Sequence, residues 1–400
     1  MKSLNICGIV CEYNPFHNGH MHHIQKAKEA GADAIICIMS GNFVQRGDFA
    51  IMRKHARAEA AVRSGADIVI ELPLPWSLAS AEKFAHGAIS ILHMLGVCSS
   101  VSFGAECDDI SALKALAKIL ADNSLDSAIM SEYSSGISFA AAREAAVAKH
   151  FPELSKLLKT PNNILATEYI KALLRLESKI VPVAVMRKGT SHDSDNVFDG
   201  FASASLIREK IAHGDDFSAL LPPASHEIYL RELDYGNAPV LTQDADSSVM
   251  SVLKRFSPED FRKYSDISEG LEFRLCDCIA QSTTLKDTAD LAKTKRYAHS
   301  RIRRILLNAF LGCEAHFSEG IVPYARILAF NRTGREIIKK AKKRSDVPVI
   351  TRPSEIKNES KKAESLLALE SRADDIYSLF MKKPFSQGST YTISPVYVDI

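Results

Sequence analysis

The sequence predicts an α/β fold in which a parallel sheet, covered by helices on both faces, is followed by a mostly α-helical domain. Three observations carry this. Short apolar runs alternate with helical stretches as far as Val185, the pattern of buried strands joined by crossover helices. Beyond the break at Leu220-Leu221-Pro222-Pro223-Ala224, strand-like runs nearly vanish and helical periodicity takes over. The chain has 400 residues, 46% hydrophobic and 24% charged, enough for two ordinary globular domains, expected at 1–220 and 221–400.

The first strand is the apolar run Ile6–Cys11, which Tyr13-Asn14-Pro15 breaks into a loop. His17-Asn18-Gly19-His20 then leads into a helix carrying Ile24, Ala27 and Ala30 on one side. Ala34–Met39 and Ile68–Leu72 read as the second and third strands, with a helix over Arg53–Ser64 between them. From Phe84 to Ala105 there is no Asp, Glu, Lys or Arg, a length that would suit a membrane span. Its two histidines and four serines argue instead for a buried helix ending near Leu95-Gly96 and a fourth strand, Cys98–Phe103. A fifth strand is expected at Ile180–Val185, and helices at Pro161 through Lys171 and at Ser205–Ala212. In the second domain, 249–256, 273–281, 300–311, 334–343 and 354–369 read as helices.

Ligands of such a sheet sit beyond the carboxyl ends of its strands. The loops that converge there hold His17 to His20, Ser40-Gly41-Asn42-Phe43, Gly104 and Arg187. A helix starting at the first of these turns its free backbone N–H groups and positive dipole end toward a di- or triphosphate, and Gly19 lets the phosphates come close. His17 and His20, three apart, can face the same anion as donors, so charge building on an α-phosphate meets N–H groups already in place. Of Asn162 and Asn163, one can cap the helix that they open while the other reaches a nucleotide, with Asn162 slightly favoured. Arg187 ends a strand on the ligand side of the sheet, which suits nucleotide contact.

His17-Asn18-Gly19-His20 resembles the H-x-G-H signature of the nucleotidyltransferase superfamily, relatives of the class I aminoacyl-tRNA synthetases. The longer strings EYNPFHNGH, MSGNFVQRGDFA from Met39, ADIVIELP from Ala66 and YARILAFNRTGRE from Tyr324 resemble one family, the bacterial tRNA(Met) cytidine acetate ligase, over nearly the whole chain. Ser203-Ala204-Ser205-Leu206-Ile207-Arg208 is similar to the second superfamily signature, I-S-S-T-x-I-R, with Ala202 in place of the Ile and Ala204 in place of one Ser. The resemblance implies a Rossmann-like nucleotidyltransferase domain that activates acetate as acetyl-adenylate. The acetyl group then passes to N4 of the wobble cytidine of elongator tRNA(Met). On this scheme ATP is a co-substrate, Mg2+ accompanies it as its chelate, and no protein-bound metal is expected. His17 and His20 stabilise the transition state, while Ser203, Ser205 and Arg208 hold the leaving pyrophosphate. ATP lies along Val10, Cys11, Glu12, Tyr13, Asn14, Pro15, Phe16, His17, Asn18, Gly19, His20, Met21, His22 and His23, with Gly104, Asn162, Asn163 and Arg187 at the nucleoside end. No protein nucleophile is needed, since the acetate oxygen attacks. Ser191 stands where the family has an aromatic residue before the His192-Asp193 pair, which leaves the role of His192 open.

A formal net charge of +2 does not announce a polyanion partner, so any RNA surface must come from local clustering. Lys293, Lys295, Arg296, Arg301, Arg303 and Arg304 form one acid-free cluster with Tyr297 and His299 interleaved. Arg332, Arg335, Lys339, Lys340, Lys342, Lys343 and Arg344 form another, against the single Glu336. Cations interleaved with flat rings suit RNA phosphates and unstacked bases, and the first cluster is the expected tRNA site. The eight cysteines form no C-x-x-C pair, and the cluster His17, His20, His22, His23 lacks a carboxylate at ligand spacing. The N-terminus has one lysine and an apolar run broken by Glu12, unlike a secretory signal, so a cytoplasmic protein without membrane or protein partner is expected.

Overall fold

The apolar runs become the strands of one sheet in the computed structural model, which describes residues 4–107, 109–186, 200–357 and 359–400. Its strands are β1 (Ile6–Cys11), β2 (Ala34–Ser40), β3 (Phe43–Val44), β4 (Asp48–Phe49), β5 (Ile68–Leu72), β6 (Ser100–Ala105), β7 (Val181–Met186), β8 (Ala325–Phe330), β9 (Val349–Ile350) and β10 (Val396–Tyr397). The main sheet runs β10-β8-β5-β2-β1-β6-β7 with β9 beside β8, while β3 and β4 form a separate small hairpin. From β5 to β7 every pairing is parallel, with Ile6 opposite Ala34 through to Cys11 opposite Met39 at the centre. Helices on both faces leave β2 wholly buried, which is why its sequence AIICIMS shows no alternation. The charge-free stretch divides as expected into the Ala81–Met94 helix and β6, although β6 begins two residues later than the sequence suggests.

The expectation that strands nearly vanish after Leu220 requires correction. Ala325–Phe330 enters the main sheet antiparallel to β5, pairing Phe330 with Ile68 and Ile327 with Ile70, so the sheet is mixed. Its charged residue, Arg326, hid it: the guanidinium is buried, with Nη1 3.4 Å from Glu71 Oε2. The rest of 221–400 is mainly helical, including Leu271–Gln281, His299–Leu311, Arg332–Arg344 and Lys361–Ser378. One hydrophobic core joins Ile36 and Ile70 of the first half to Ile327, Leu366 and Tyr377 of the second.

Two polar devices fasten the halves. Asp67, just before β5, accepts the Ile35 N–H (2.8 Å) and the Asn331 side-chain amide (3.0 Å), while Asn331 Oδ1 caps the Arg332–Arg344 helix at Gly334 N (2.9 Å). A Cβ on Gly334 would lie 2.1 Å from the Asp67 carbonyl oxygen, so only glycine allows that contact. The second device is a buried charge cluster in which Lys54 Nζ sits 2.6 Å from Glu71 and 2.7 Å from Asp374. Beside it Glu370 accepts the Leu74 N–H, and burial together with the Glu71 charge pushes its carboxyl up to about 8. A protonated Glu370 leaves Lys54 and Arg326 balanced by Glu71 and Asp374, the arrangement that burial favours.

Candidate active site

Beyond Cys11 the chain turns through Tyr13, whose φ of +48° is left-handed, and through the cis peptide Asn14-Pro15. A tyrosine in that region is strained and persists only where its surroundings fix it. They do so closely. Glu12 Oε1 accepts the Gln45 N–H (2.8 Å), Asn14 Oδ1 accepts the Ile51 N–H (2.8 Å), and Ser225 Oγ donates to the Phe16 carbonyl (2.8 Å). Asn18 uses both amide hydrogens on main-chain oxygens, those of Gly200 (3.0 Å) and Ala219 (2.9 Å). It acts as a clamp between the first motif and the approach to the second.

His17 is the N-cap of the Asn18–Glu29 helix. Its Nδ1 accepts the Gly19 N–H (3.1 Å), and the His17 N–H donates back to His20 Nδ1 (3.2 Å), a capping box built from two imidazoles. A neutral ring whose Nδ1 accepts must carry its proton on Nε2, so both histidines are set as Nε2–H donors. The rings stack 3.7 Å apart at 26°. Gly19 is required for a reason besides phosphate approach: a Cβ there would lie 2.9 Å from His17 Cε1 and displace the ring. The expectation of free first-turn N–H groups is corrected at three positions. The His17 N–H binds His20 Nδ1, the Gly19 N–H binds His17 Nδ1, and the His20 N–H binds the His17 carbonyl at 2.9 Å. Donation to an anion therefore falls more to the imidazoles and less to the backbone.

The second motif closes on the first. Ser203 caps the Ala204–His213 helix, accepting the Leu206 N–H (3.2 Å), and its hydroxyl lies 3.0 Å from that of Ser205. Arg208 Nη1 donates to the Asn14 carbonyl (2.9 Å). Burial pushes this guanidinium below its ordinary value, while Asp48 and Glu12 pull it back up. Arg208 thus ties the helix that carries the two hydroxyls to the loop beyond β1 that leads to the two imidazoles. That constellation suits stabilising charge on a nucleotide α-phosphate and on departing pyrophosphate.

The sequence matches the family described as HIGH Nucleotidyl Transferase over residues 4–391. It is 37% identical to the tRNA(Met) cytidine acetate ligase of Alkaliphilus metalliredigens over 421 residues, covering 98% of this chain and 99% of that protein. It is 36% identical to the enzyme of the same name from Acetivibrio thermocellus, over 95% of this chain and 96% of the relative. The chain belongs to the tRNA(Met) cytidine acetate ligase family. Crystal structures of Thermotoga maritima TmcAL agree at 32% identity, with TM-scores of 0.95 for apo form I and 0.92 for form II, which is bound with alpha-thio ATP; each match covers 99% of this chain and 100% of that one.

Gly104, expected at the nucleoside end, is the penultimate residue of β6, opposite Val185, rather than part of the loop beyond. Asn163 Oδ1 accepts the N–H groups of Glu106 (2.9 Å) and Cys107 (3.1 Å). Glu106 replies with one carboxylate oxygen to the Asn163 N–H (3.0 Å) and the other to the Asn162 side-chain amide. Both asparagines therefore help to build the loop, Asn163 through its side-chain oxygen and main-chain N–H and Asn162 through its side-chain amide. Glu106 was not among the expected residues, although it stands two after Gly104. Along the first helix His23 Nε2 lies 2.9 Å from Ser102 Oγ, His22 packs edge-on to Phe201, and Met21 is exposed. Val10 and Cys11 lie within β1. Arg187, Ser191, His192 and Asp193 fall outside the described residues.

The first basic cluster is less open than its sequence suggests. Arg296 pairs with Glu269 and lies over the Tyr133 ring, and Arg301 donates to the Asp266 carbonyl and Ser268 Oγ. Arg303 pairs with Asp48, and Arg304 is buried beside Asp266. Lys293 and Lys295 are exposed. The four arginines of a cluster without an acid in sequence find their acids, and carbonyls, in space. By contrast the Arg332–Arg344 helix buries Ile337, Ile338 and Ala341 and exposes all seven of its cations. Among the described residues no group of three His, Cys, Asp or Glu side chains is placed to hold a metal ion, and no helix is long and apolar enough to cross a membrane.

Proposed function

We propose that this protein condenses ATP with acetate to give acetyl-adenylate and pyrophosphate, then transfers the acetyl group to N4 of the wobble cytidine of elongator tRNA(Met). The observation that carries this reading is the stacked His17–His20 pair, each ring fixed through Nδ1 as an Nε2–H donor. In the first step an acetate oxygen attacks the α-phosphorus, the bond to the bridging oxygen breaks, and pyrophosphate leaves with that electron pair. The two imidazoles stabilise the equatorial oxygens, while Ser203, Ser205 and Arg208 take the charge arriving on pyrophosphate. In the second step the cytidine N4 attacks the acetyl carbon, AMP departs, and the amine loses a proton to solvent or AMP. Mg2+ enters as the chelate of ATP, part of the substrate.

Gly104, Asn162, Asn163 and Arg187 serve the nucleoside end in this scheme. Residues 221–400 serve the tRNA, with Lys293 and Lys295 as direct phosphate contacts and Arg296, Arg301, Arg303 and Arg304 supporting that surface from their internal pairs. A tRNA substrate supports a cytoplasmic location in this reading. The test is pyrophosphate release and acetyl-adenylate formation from ATP and labelled acetate, with and without tRNA(Met), followed by analysis of the wobble nucleoside. Release that ignores acetate, or AMP left on another small acceptor, would overturn the reading.

A further inference from the structure

Arg57 takes no part in the chemistry described above, yet it is fully buried at the carboxyl ends of the two central strands. β1 and β2 stay paired as far as Cys11 and Met39 and then part. Carbonyl oxygens on the two walls of that split have lost their strand partners, and buried carbonyls without partners are costly. Arg57 fills the gap. Nη1 donates to the Glu12 carbonyl (2.5 Å) on the β1 wall, and Nη2 to the carbonyls of Ser40 (3.2 Å) and Gly41 on the β2 wall. Nε donates to the Met52 carbonyl (2.9 Å), next to Ile51, whose N–H holds Asn14 Oδ1.

We propose that Arg57 is a positioning residue for acetyl-adenylate formation: its planar fork sets the opening between the β1 and β2 ends, and so the placement of the His17–His20 loop on the α-phosphate. All four of these hydrogen bonds go to main-chain carbonyls and none to a carboxylate. Its charge therefore lies beneath the loop that receives a polyanion. A lysine keeps the charge but lacks the rigid fork that reaches both walls at once.

The inference rests on the proposed activity, and wild-type protein that releases no pyrophosphate from ATP and acetate would sink that activity first. With active wild type, Arg57→Lys is expected to lower kcat for adenylate formation by about 10-fold or more, as small misplacements of a reacting loop do. KM for ATP should move by less than about threefold, and ATP should still titrate close to one site per chain. Added methylguanidinium should restore part of the rate of Arg57→Ala without raising its Tm. A merely structural role would instead reduce the ATP-binding fraction and the rate in equal proportion. That outcome overturns the proposal, as does a normal kcat in Arg57→Lys, or failure of both variants to fold.

Discussion

Arg208 Nη1 lies 2.9 Å from the main-chain oxygen of Asn14, joining two motifs 194 residues apart into one structure. The second signature thus helps to hold the first in shape, besides the pyrophosphate contact proposed for its guanidinium. Arg208→Ala should slow adenylate formation by about 100-fold or more, the scale for loss of a transition-state donor. Acetyl transfer from supplied acetyl-adenylate should survive, and the two half-reactions can be timed separately. A variant defective only in transfer would place Arg208 at the RNA.

His17 has two tasks that substitution can separate. His17→Ala removes the helix cap, costing about 1 kcal/mol of stability, as well as the Nε2–H donor. His17→Asn retains a good cap and should keep the wild-type Tm, yet both variants should lose about 100-fold in adenylate formation while ATP binding changes less. His20→Ala should behave likewise. Calorimetric ATP binding and pyrophosphate release on the same preparations decide the matter, since equal losses in both would reduce the pair to binding residues.

Stability should depend on pH through Glu370. Its carboxyl is raised in the fold to about 8 from an ordinary 4.5, so the folded state holds a proton that the unfolded chain has given up. The contribution is fully present below about 4.5 and is lost as the pH rises through about 8. Thermal unfolding from about pH 4.5 to 9 should show Tm falling as the pH rises toward about 8 and levelling above it. Glu370→Gln should flatten that fall, and an unchanged slope would remove Glu370 as its source.

For tRNA, the double substitution Lys293→Ser, Lys295→Ser should weaken binding and reduce the slope of log affinity against log salt by about one to two. Acetate activation should be unaffected. Arg304→Ser should mainly lower Tm, because it strips a buried partner from Asp266. Filter binding at several salt concentrations tests the first claim, and an unaltered slope would move the RNA surface elsewhere, with the cationic face of the Arg332–Arg344 helix the next to substitute.

Much of the first half could be read directly from the chain. Parallel strands buried on both faces leave unbroken apolar runs such as Ala34–Met39, and a helix start marked by His17-Asn18-Gly19-His20 is a local feature. What escaped was decided by distant partners. β8 was hidden because Arg326 interrupts an apolar run, and its partners, Glu71 255 positions earlier and the Thr390 carbonyl 64 later, are remote in sequence. The basic cluster looked free because its counter-charges Asp48, Asp266 and Glu269 are remote in sequence or lie in loops. Arg57 and Glu106 look like ordinary helix and loop charges, since neither the carbonyls that Arg57 meets nor the asparagines that Glu106 meets, 56 and 57 positions on, leave a mark beside them in the sequence.

The insertion of β8 between β5 and β10 bears on how the protein is made. At about 5–20 residues per second, a ribosome that has finished residue 220 needs roughly a further 5–20 seconds to deliver Ala325–Phe330. Until then Ile68–Leu72 is an open, apolar sheet edge, the kind of surface on which nascent chains join one another. A fragment ending at residue 220 should consequently collect in inclusion bodies. In the cell, the interval between those two moments is when a chaperone would be needed at that edge.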